Sequence, residues 1–160
     1  MTSKDENATK ARVGMAAAKK FLQNWEFTNI VQVDNKKRVD KKGVGCDFTA
    51  SKNGSTRTIE VKTTQTKGVP DAFETEFTHL DKHPEFGPDY LLVVRVRKGG
   101  EPGWEPTGGH LVSKNEIDLY KEEKEGKKEH KIVAHVKFSS TFQKELWDKK
   151  IGEWLDWTED

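Results

Sequence analysis

A single cysteine, Cys46, in 160 residues removes two chemistries at once. No intrachain disulfide can form, and without a second cysteine any zinc site would fall to the histidines. His79, His83, His110, His130 and His135 have no spacing that would build one. Cys46 is expected to face inward, as a reducing cytosol permits. Long apolar runs are also missing: nothing approaches the ~20 residues of a membrane span. The opening segment MTSKDENATK has no apolar signal region, so the reading is a soluble, cytoplasmic protein without a membrane partner. Charge of one sign is not in excess either. A net charge of +1 gives no global attraction to nucleic acid, and any such case must rest on local clusters. The Gly126-Lys127-Lys128 tripeptide lacks the upstream glycine and following Ser or Thr of a phosphate loop.

What remains is a polar but folded composition. Hydrophobic residues make up 32% and charged residues 34%, which implies a modest core under a strongly charged surface. The apolar residues gather in runs such as Tyr90-Leu-Leu-Val-Val94, and clustering of this kind separates a folded chain from a disordered one. The length suits one domain. Residues 1–7 are expected to be a loose tail. Val13, Ala17 and Phe21, with Leu22 alongside, predict an amphipathic helix over 8–24. Alternation over 27–33 predicts a first strand, with Phe27, Val31 and Val33 on one side and Ile30 on the other. Residues 71–83 are expected to hold a helix or an irregular excursion. The stretch 90–97 reads as a strand buried on both faces.

Gly99, Gly100, Pro102, Gly103, Pro106, Gly108 and Gly109 predict a long loop, on which an exposed Trp104 could stack on a base. The other tryptophans are expected in the core. A short strand at 110–112, a helix at 115–124 capped by Asn115, a strand at 132–138 and a helix at 140–149 follow. Trp154, Leu155 and Trp157 are expected to pack back on the domain. The organisation is thus a tail (1–7), a core (8–98) and a C-terminal α/β extension (99–160) on the same domain.

The densest signal lies at residues 45–64, GCDFTASKNGSTRTIEVKTT. Asn53-Gly54 is a hairpin turn signal, because a type I′ turn needs positive φ at both central residues. A two-residue turn there sets Ser51 opposite Thr56, Thr49 opposite Thr58 and Asp47 opposite Glu60. Strand alternation puts Glu60 and Lys62 on one face and Cys46, Phe48, Ile59 and Val61 on the other. Two like charges directly opposed destabilise a sheet, so Asp47 and Glu60 need compensation. A bridging divalent metal with Lys62 beside it supplies that compensation. Just upstream, Lys36, Lys37, Arg38, Lys41 and Lys42 crowd a loop that could neutralise backbone phosphates.

Asp47, twelve intervening residues, and Glu60-Val61-Lys62 resemble the PD-(D/E)xK nuclease signature. Within that superfamily the segment is most similar to the carboxy-terminal-like domain of NO VEIN proteins, and more distantly to archaeal Holliday junction resolvases. The resemblance covers residues 8–97. It implies an α/β fold of the restriction-endonuclease type, with an αβββαβ core and a mixed sheet. It also implies a Mg²⁺-dependent endonuclease acting on DNA, with Mn²⁺ as a substitute. Asp47, Glu60 and Lys62 would be catalytic. Asp47 and Glu60 would be side-chain metal ligands, with the Val61 carbonyl as a third. Lys62 would orient or deprotonate the attacking water. Gln65 is a further candidate contact, and Gly45, opposite Lys62, would leave room for a phosphate. Residues 12–23 contain no acid, unlike the first helix of many such nucleases, which points to one metal rather than two. Cutting both strands of a duplex calls for two sites, so a homodimer is an expected arrangement.

Two other readings use the same residues. A non-catalytic nucleic-acid-binding or protein-interaction module would keep the fold without the chemistry, and a solvated hairpin face would use Lys62 only to offset two acids.

Overall fold

The computed structural model describes residues 3–33, 46–65, 74–80, 83–86, 88–99, 103–121, 133–137 and 140–159. The basic loop at Lys36–Lys42, and Gly45, lie outside them. Helix α1 (Ser3–Asn24) leads to β1 (Thr28–Gln32) and to a hairpin of β2 (Phe48–Lys52) and β3 (Ser55–Gln65). Then come β4 (Glu74–Leu80), β5 (His83–Phe86), β6 (Tyr90–Gly99), β7 (Gly103–Ser113) and α2 (Lys114–Lys121). Strand β8 (Val133–Lys137), α3 (Ser140–Trp147) and β9 (Glu153–Asp156) complete the chain. The architecture is mixed α/β. A six-stranded open sheet runs β1-β2-β3-β6-β7-β9, and a smaller one runs β5-β4-β8. In the large sheet β3 and β6 are parallel and the other neighbours antiparallel. Parallel neighbours cannot be joined by a tight turn. Strands β4 and β5 lie in the connection between them.

The β2–β3 hairpin forms as its sequence dictates. Asn53 and Gly54 have φ of 53° and 82°, and the register pairs Ser51 with Thr56 and Thr49 with Thr58. Phe48, Ala50, Ile59 and Val61 face α1, where they join Ala17, Ala18, Phe21 and Leu22 in the larger core. Alternate residues of β6 serve opposite sides. Leu92, Val94 and Val96 pack under α1, while Leu91 and Val93 join Val112, Ile117, Phe142 and Leu146 beneath α2 and α3. Strand β6 is therefore buried on both faces, as its continuous apolar run implied.

Several elements differ from their sequence reading, each for a local reason. Helix α1 begins at Ser3 rather than Ala8, with Asp5 and Glu6 in the first turn, where carboxylates complement the helix dipole. In β1 the inward residue is Ile30, while Val31 is 56% exposed. A register irregularity between Thr28 and Val31, with Asn29 at φ 50°, reverses the expected sides. Residues 74–80 form a strand, in keeping with a sequence that has no helical apolar stripe.

The Gly-Pro stretch is mostly strand β7 rather than a loop. Two of its glycines are spacers: a Cβ on Gly108 would overlap the Trp154 ring, and one on Gly109 would press on Phe21. Trp104 is correspondingly buried in the α1-side core, so it is no exposed base-stacking platform. Helix α2 is capped by Ser113, not Asn115. The Glu116 N–H donates to Ser113 Oγ at 3.4 Å, and the Ser113 N–H donates to Glu116 Oε1 at 3.2 Å. That reciprocal pair is a capping box.

Gly14 is the closest approach of α1 to the sheet, and a Cβ there would overlap the side chain of Thr63. Alanine is the better helix former by about 1 kcal/mol, but forced overlap in a packed interior costs about 1–3 kcal/mol. Gly14→Ala should therefore lower the melting temperature. Adding Thr63→Ala should restore most of the loss, which thermal denaturation of the single and double variants will test.

Candidate functional site

The site arises where the hairpin comes apart. Up to Asp47 the two strands pair, and the Asp47 N–H donates to the Ile59 carbonyl at 2.9 Å. There β2 begins and Asp47 also engages β1, its carbonyl accepting from the Val33 N–H at 2.9 Å. On β3 the next N–H facing this side belongs to Val61. It donates to the Asp47 carboxylate (Oδ2) at 2.7 Å, so a side chain takes the position of a ladder carbonyl. In an extended strand the N–H and C=O of one residue point to the same side. The Val61 carbonyl therefore emerges beside Asp47.

Glu60 and Lys62 flank Val61 on the α2/α3 face of the sheet. Lys62 Nζ lies 3.6 Å from Glu60 Oε2, an ion pair too long for a strong hydrogen bond. Glu60 lies near enough to the Asp47 carboxyl to act on its proton affinity. Burial pushes the Asp47 carboxyl up from its ordinary range. The Val61 N–H, the Lys62 ammonium and Glu60 act in the opposite direction without cancelling that effect.

The structure thus brings together Asp47, Glu60, Lys62 and the Val61 backbone. Gln65 is not among them, because by strand alternation it shares the α1-side face with Val61 and Thr63, away from Glu60 and Lys62. Neither nearby acid outside the hairpin reaches the pair. Glu6 is bound to Lys98 at 2.8 Å, which also holds its carboxyl below the ordinary range. Glu26 is exposed at the end of α1 with φ 70°. Asp89 immediately precedes β6, and its Oδ2 accepts from the Thr58 N–H at 2.9 Å and so fixes the start of β6 against β3. Among the described residues no group of three or more His, Cys, Asp or Glu side chains is placed to hold a metal ion.

The same face carries residues that sequence reading missed. The pairings align Lys62, Val93, His110 and Trp154 in one row across the sheet, and Thr64, Arg95, Gly108 and Asp156 in the next. His110 is fully buried, its ring centre 4.7 Å from that of Trp154 and tilted 55° to it. Arg95 is 7% exposed, with its guanidinium 3.6 Å from the Trp147 ring centre and 4.8 Å from that of Trp154. The available signal was an arginine inside the apolar run YLLVVRV.

A six-stranded mixed α/β sheet with a paired-carboxylate cluster at a splayed hairpin is the class these features define. The family described as Protein NO VEIN, C-terminal, matches residues 11–107, more than half of the chain, and the chain belongs to that family. No curated protein and no solved structure matches it. No helix among the described residues is long and apolar enough to cross a membrane.

Two outcomes follow from these environments. Asp47→Asn keeps an acceptor for the Val61 N–H while removing a half-buried charge beside Glu60. In metal-free buffer it should stabilise the protein by about 1 kcal/mol, seen as a rise of about 2–4 °C in melting temperature. His110 behaves differently. Burial first, then Arg95 and Lys149, lower its pKa from 6.5 to about 3. The unfolded chain therefore binds a proton that the folded chain refuses between these values. Stability contributed by neutral His110 should be lost as pH falls from 6.5 towards 3, by up to about 1.4 kcal/mol per pH unit. His110→Phe should flatten that part of the acid limb in urea unfolding measured across this range.

Proposed function

We propose that this chain is a metal-dependent nuclease domain that hydrolyses DNA phosphodiester bonds. The observation that carries the reading is the Asp47 carboxylate held on the Val61 N–H at 2.7 Å, with Glu60 and Lys62 paired at 3.6 Å on either side of Val61, at the open end of the β2–β3 hairpin. The order α1, β1, β2, β3, with β6 parallel to β3, supports a restriction-endonuclease type of core. Between β3 and β6 the described residues form strands β4 and β5 rather than the crossover helix of that pattern.

The donor set fits a hard cation. Two carboxylates and a carbonyl are all-oxygen ligands, and Mg²⁺ accepts such a set while keeping several waters. Two neighbouring acids, one of them with acidity weakened by burial, are also an arrangement that a divalent charge would relieve. Asp47, Glu60 and the Val61 carbonyl would hold Mg²⁺, or Mn²⁺ in its place. When bound, the cation would lower the pKa of water and offset charge on the phosphoryl group.

The protein's own groups do the rest. The Val61 N–H fixes the orientation of the Asp47 carboxylate through Oδ2. Lys62, tethered only at 3.6 Å to Glu60, can turn its ammonium towards a phosphoryl oxygen or an attacking water. With no third acid joining the pair among the described residues, the reading is a one-metal site. The basic loop Lys36–Lys42 would add sequence-independent affinity for the DNA backbone.

Purified protein should cut members of a panel of duplex, single-stranded, flap and four-way-junction DNA when Mg²⁺ or Mn²⁺ is added. Asp47→Ala and Lys62→Ala should each reduce cutting at least a hundredfold. No cutting, or cutting that survives both substitutions, would leave a non-catalytic binding module on this fold as the better account.

A further inference from the structure

In the Lys62 row of the sheet and the next one, with α3 above them, lie buried polar atoms without hydrogen-bond partners: Thr64 Oγ1, Arg95 Nε, His110 Nδ1 and Nε2, and Trp147 Nε1. Strand register and ring contacts bring their residues to one part of the sheet face. Thr64 is directly beside Arg95 in the β3–β6 pairing, His110 lies diagonally across β7, and Trp147 covers the guanidinium from α3. Gly108, opposite Arg95, leaves room for the Trp154 ring on the remaining side.

Burying a cation without a counter-charge is expensive, and leaving several buried donors unmade adds to the cost. Arg95 forms no ion pair with a described residue. Its one side-chain hydrogen bond goes from Nη2 to the Leu146 carbonyl in the last turn of α3, at 3.1 Å. That bond uses one of five N–H donors. The other unpartnered groups are donor-rich: the Trp147 indole N–H, the Thr64 hydroxyl and one His110 N–H, set against few acceptors. Lys149, 4.3 Å from the Trp154 ring centre, adds positive charge at the margin. A set that is cationic, rich in donors and short of acceptors suits an oxyanion.

We infer that Thr64, Arg95, His110 and Trp147 form a binding site for a phosphate group that ends a chain or is free in solution. With only 7% of Arg95 exposed, the flank of a duplex has no access, which restricts the ligand to a compact terminal or free group. The ligand class follows from the donor number, since a phosphate monoester offers three terminal oxygens. Strand geometry sets Arg95 about 8 Å from Lys62 between Cα atoms, one strand across and two residues along. By the same geometry Arg95 lies about 14 Å from Glu60, so a phosphate held there shares a sheet face with the carboxylate pair, and the source of choice is the phosphorylated end of a nucleic-acid strand, an assignment that rests on the nuclease reading. The site also joins the family region to the rest of the chain. Thr64 and Arg95 fall within residues 11–107, while His110 and Trp147 lie beyond.

The test uses the full chain carrying Asp47→Asn, in EDTA, so that neither cutting nor metal enters the result. Inorganic phosphate, and oligonucleotides bearing a 5′-phosphate, a 3′-phosphate or only hydroxyl ends, are titrated at constant ionic strength. Binding is read from tryptophan fluorescence and calorimetry. Saturable phosphate binding, weakened about tenfold or more by Trp147→Phe and by Thr64→Val, is expected. Arg95→Met should abolish it; the two milder variants carry the test if that protein fails to fold. A preference for phosphorylated over hydroxyl ends assigns the site to strand termini, and its absence assigns it to free phosphate. No saturable binding by the folded protein, or binding untouched by both mild variants, overturns the site. Phosphate binding in a chain that never cuts DNA would refute the nuclease reading alone. Metal-dependent cutting without phosphate binding would refute this site alone.

Discussion

The hydrogen bond from the Val61 N–H to the Asp47 carboxylate is the constraint on which the candidate site depends. A backbone donor in the middle of a sheet must be satisfied, and β2 stops supplying carbonyls where it leaves β3. Asp47 meets the demand with its side chain. In doing so it is drawn towards Glu60 and held half-buried, which weakens its acidity. A ladder that continued regularly would have satisfied Val61 with backbone and left Asp47 an ordinary strand residue. The opening of the hairpin and the chemistry at its mouth are therefore one feature.

Around this opening the sheet divides labour between its faces. The α1 side is closed by small residues and glycines that bring the helix down onto β3, β6 and β7, with Gly14 against Thr63 and Gly109 against Phe21. That side is apolar and structural. The other side is closed by α2 and α3 over Leu91, Val93 and Val112, but beyond this patch it holds Glu60, Lys62, Thr64, Arg95 and His110. Polar atoms that cost stability are concentrated there, and local violations of good packing are where function is to be sought. Arg95 belongs to both tasks, anchoring the last turn of α3 through Leu146 and presenting its remaining donors to the interior.

The hairpin was legible from residues 46–64 because everything that specifies it is local. Asn-Gly sets the turn, and period-two alternation then fixes both the register and the faces. That information also set Asp47 against Glu60 and put Lys62 beside it. The double burial of β6 was legible for a similar reason, since a strand covered on both sides needs no alternation. The β7 reading failed because glycine and proline signal a loop by their backbone freedom alone. Here Gly108 and Gly109 act through what they lack, admitting Trp154 and Phe21, and those neighbours are remote in sequence. The sides of β1 were misread because one irregularity at Asn29 inverts the alternation.

By itself, then, the sequence determined the local geometry: the turn, the two hairpin faces, the buried central strand and the identity of the paired acids. Tertiary structure decided what depends on distant partners. It set how far Asp47 is buried, joined β7 and β9 to the sheet, and brought Arg95 against two tryptophan rings and His110 against one of them. The division has a physical cause. Backbone propensity and strand periodicity act over a few residues, whereas desolvation and ring contacts depend on groups separated by as much as the interval from Arg95 to Trp154.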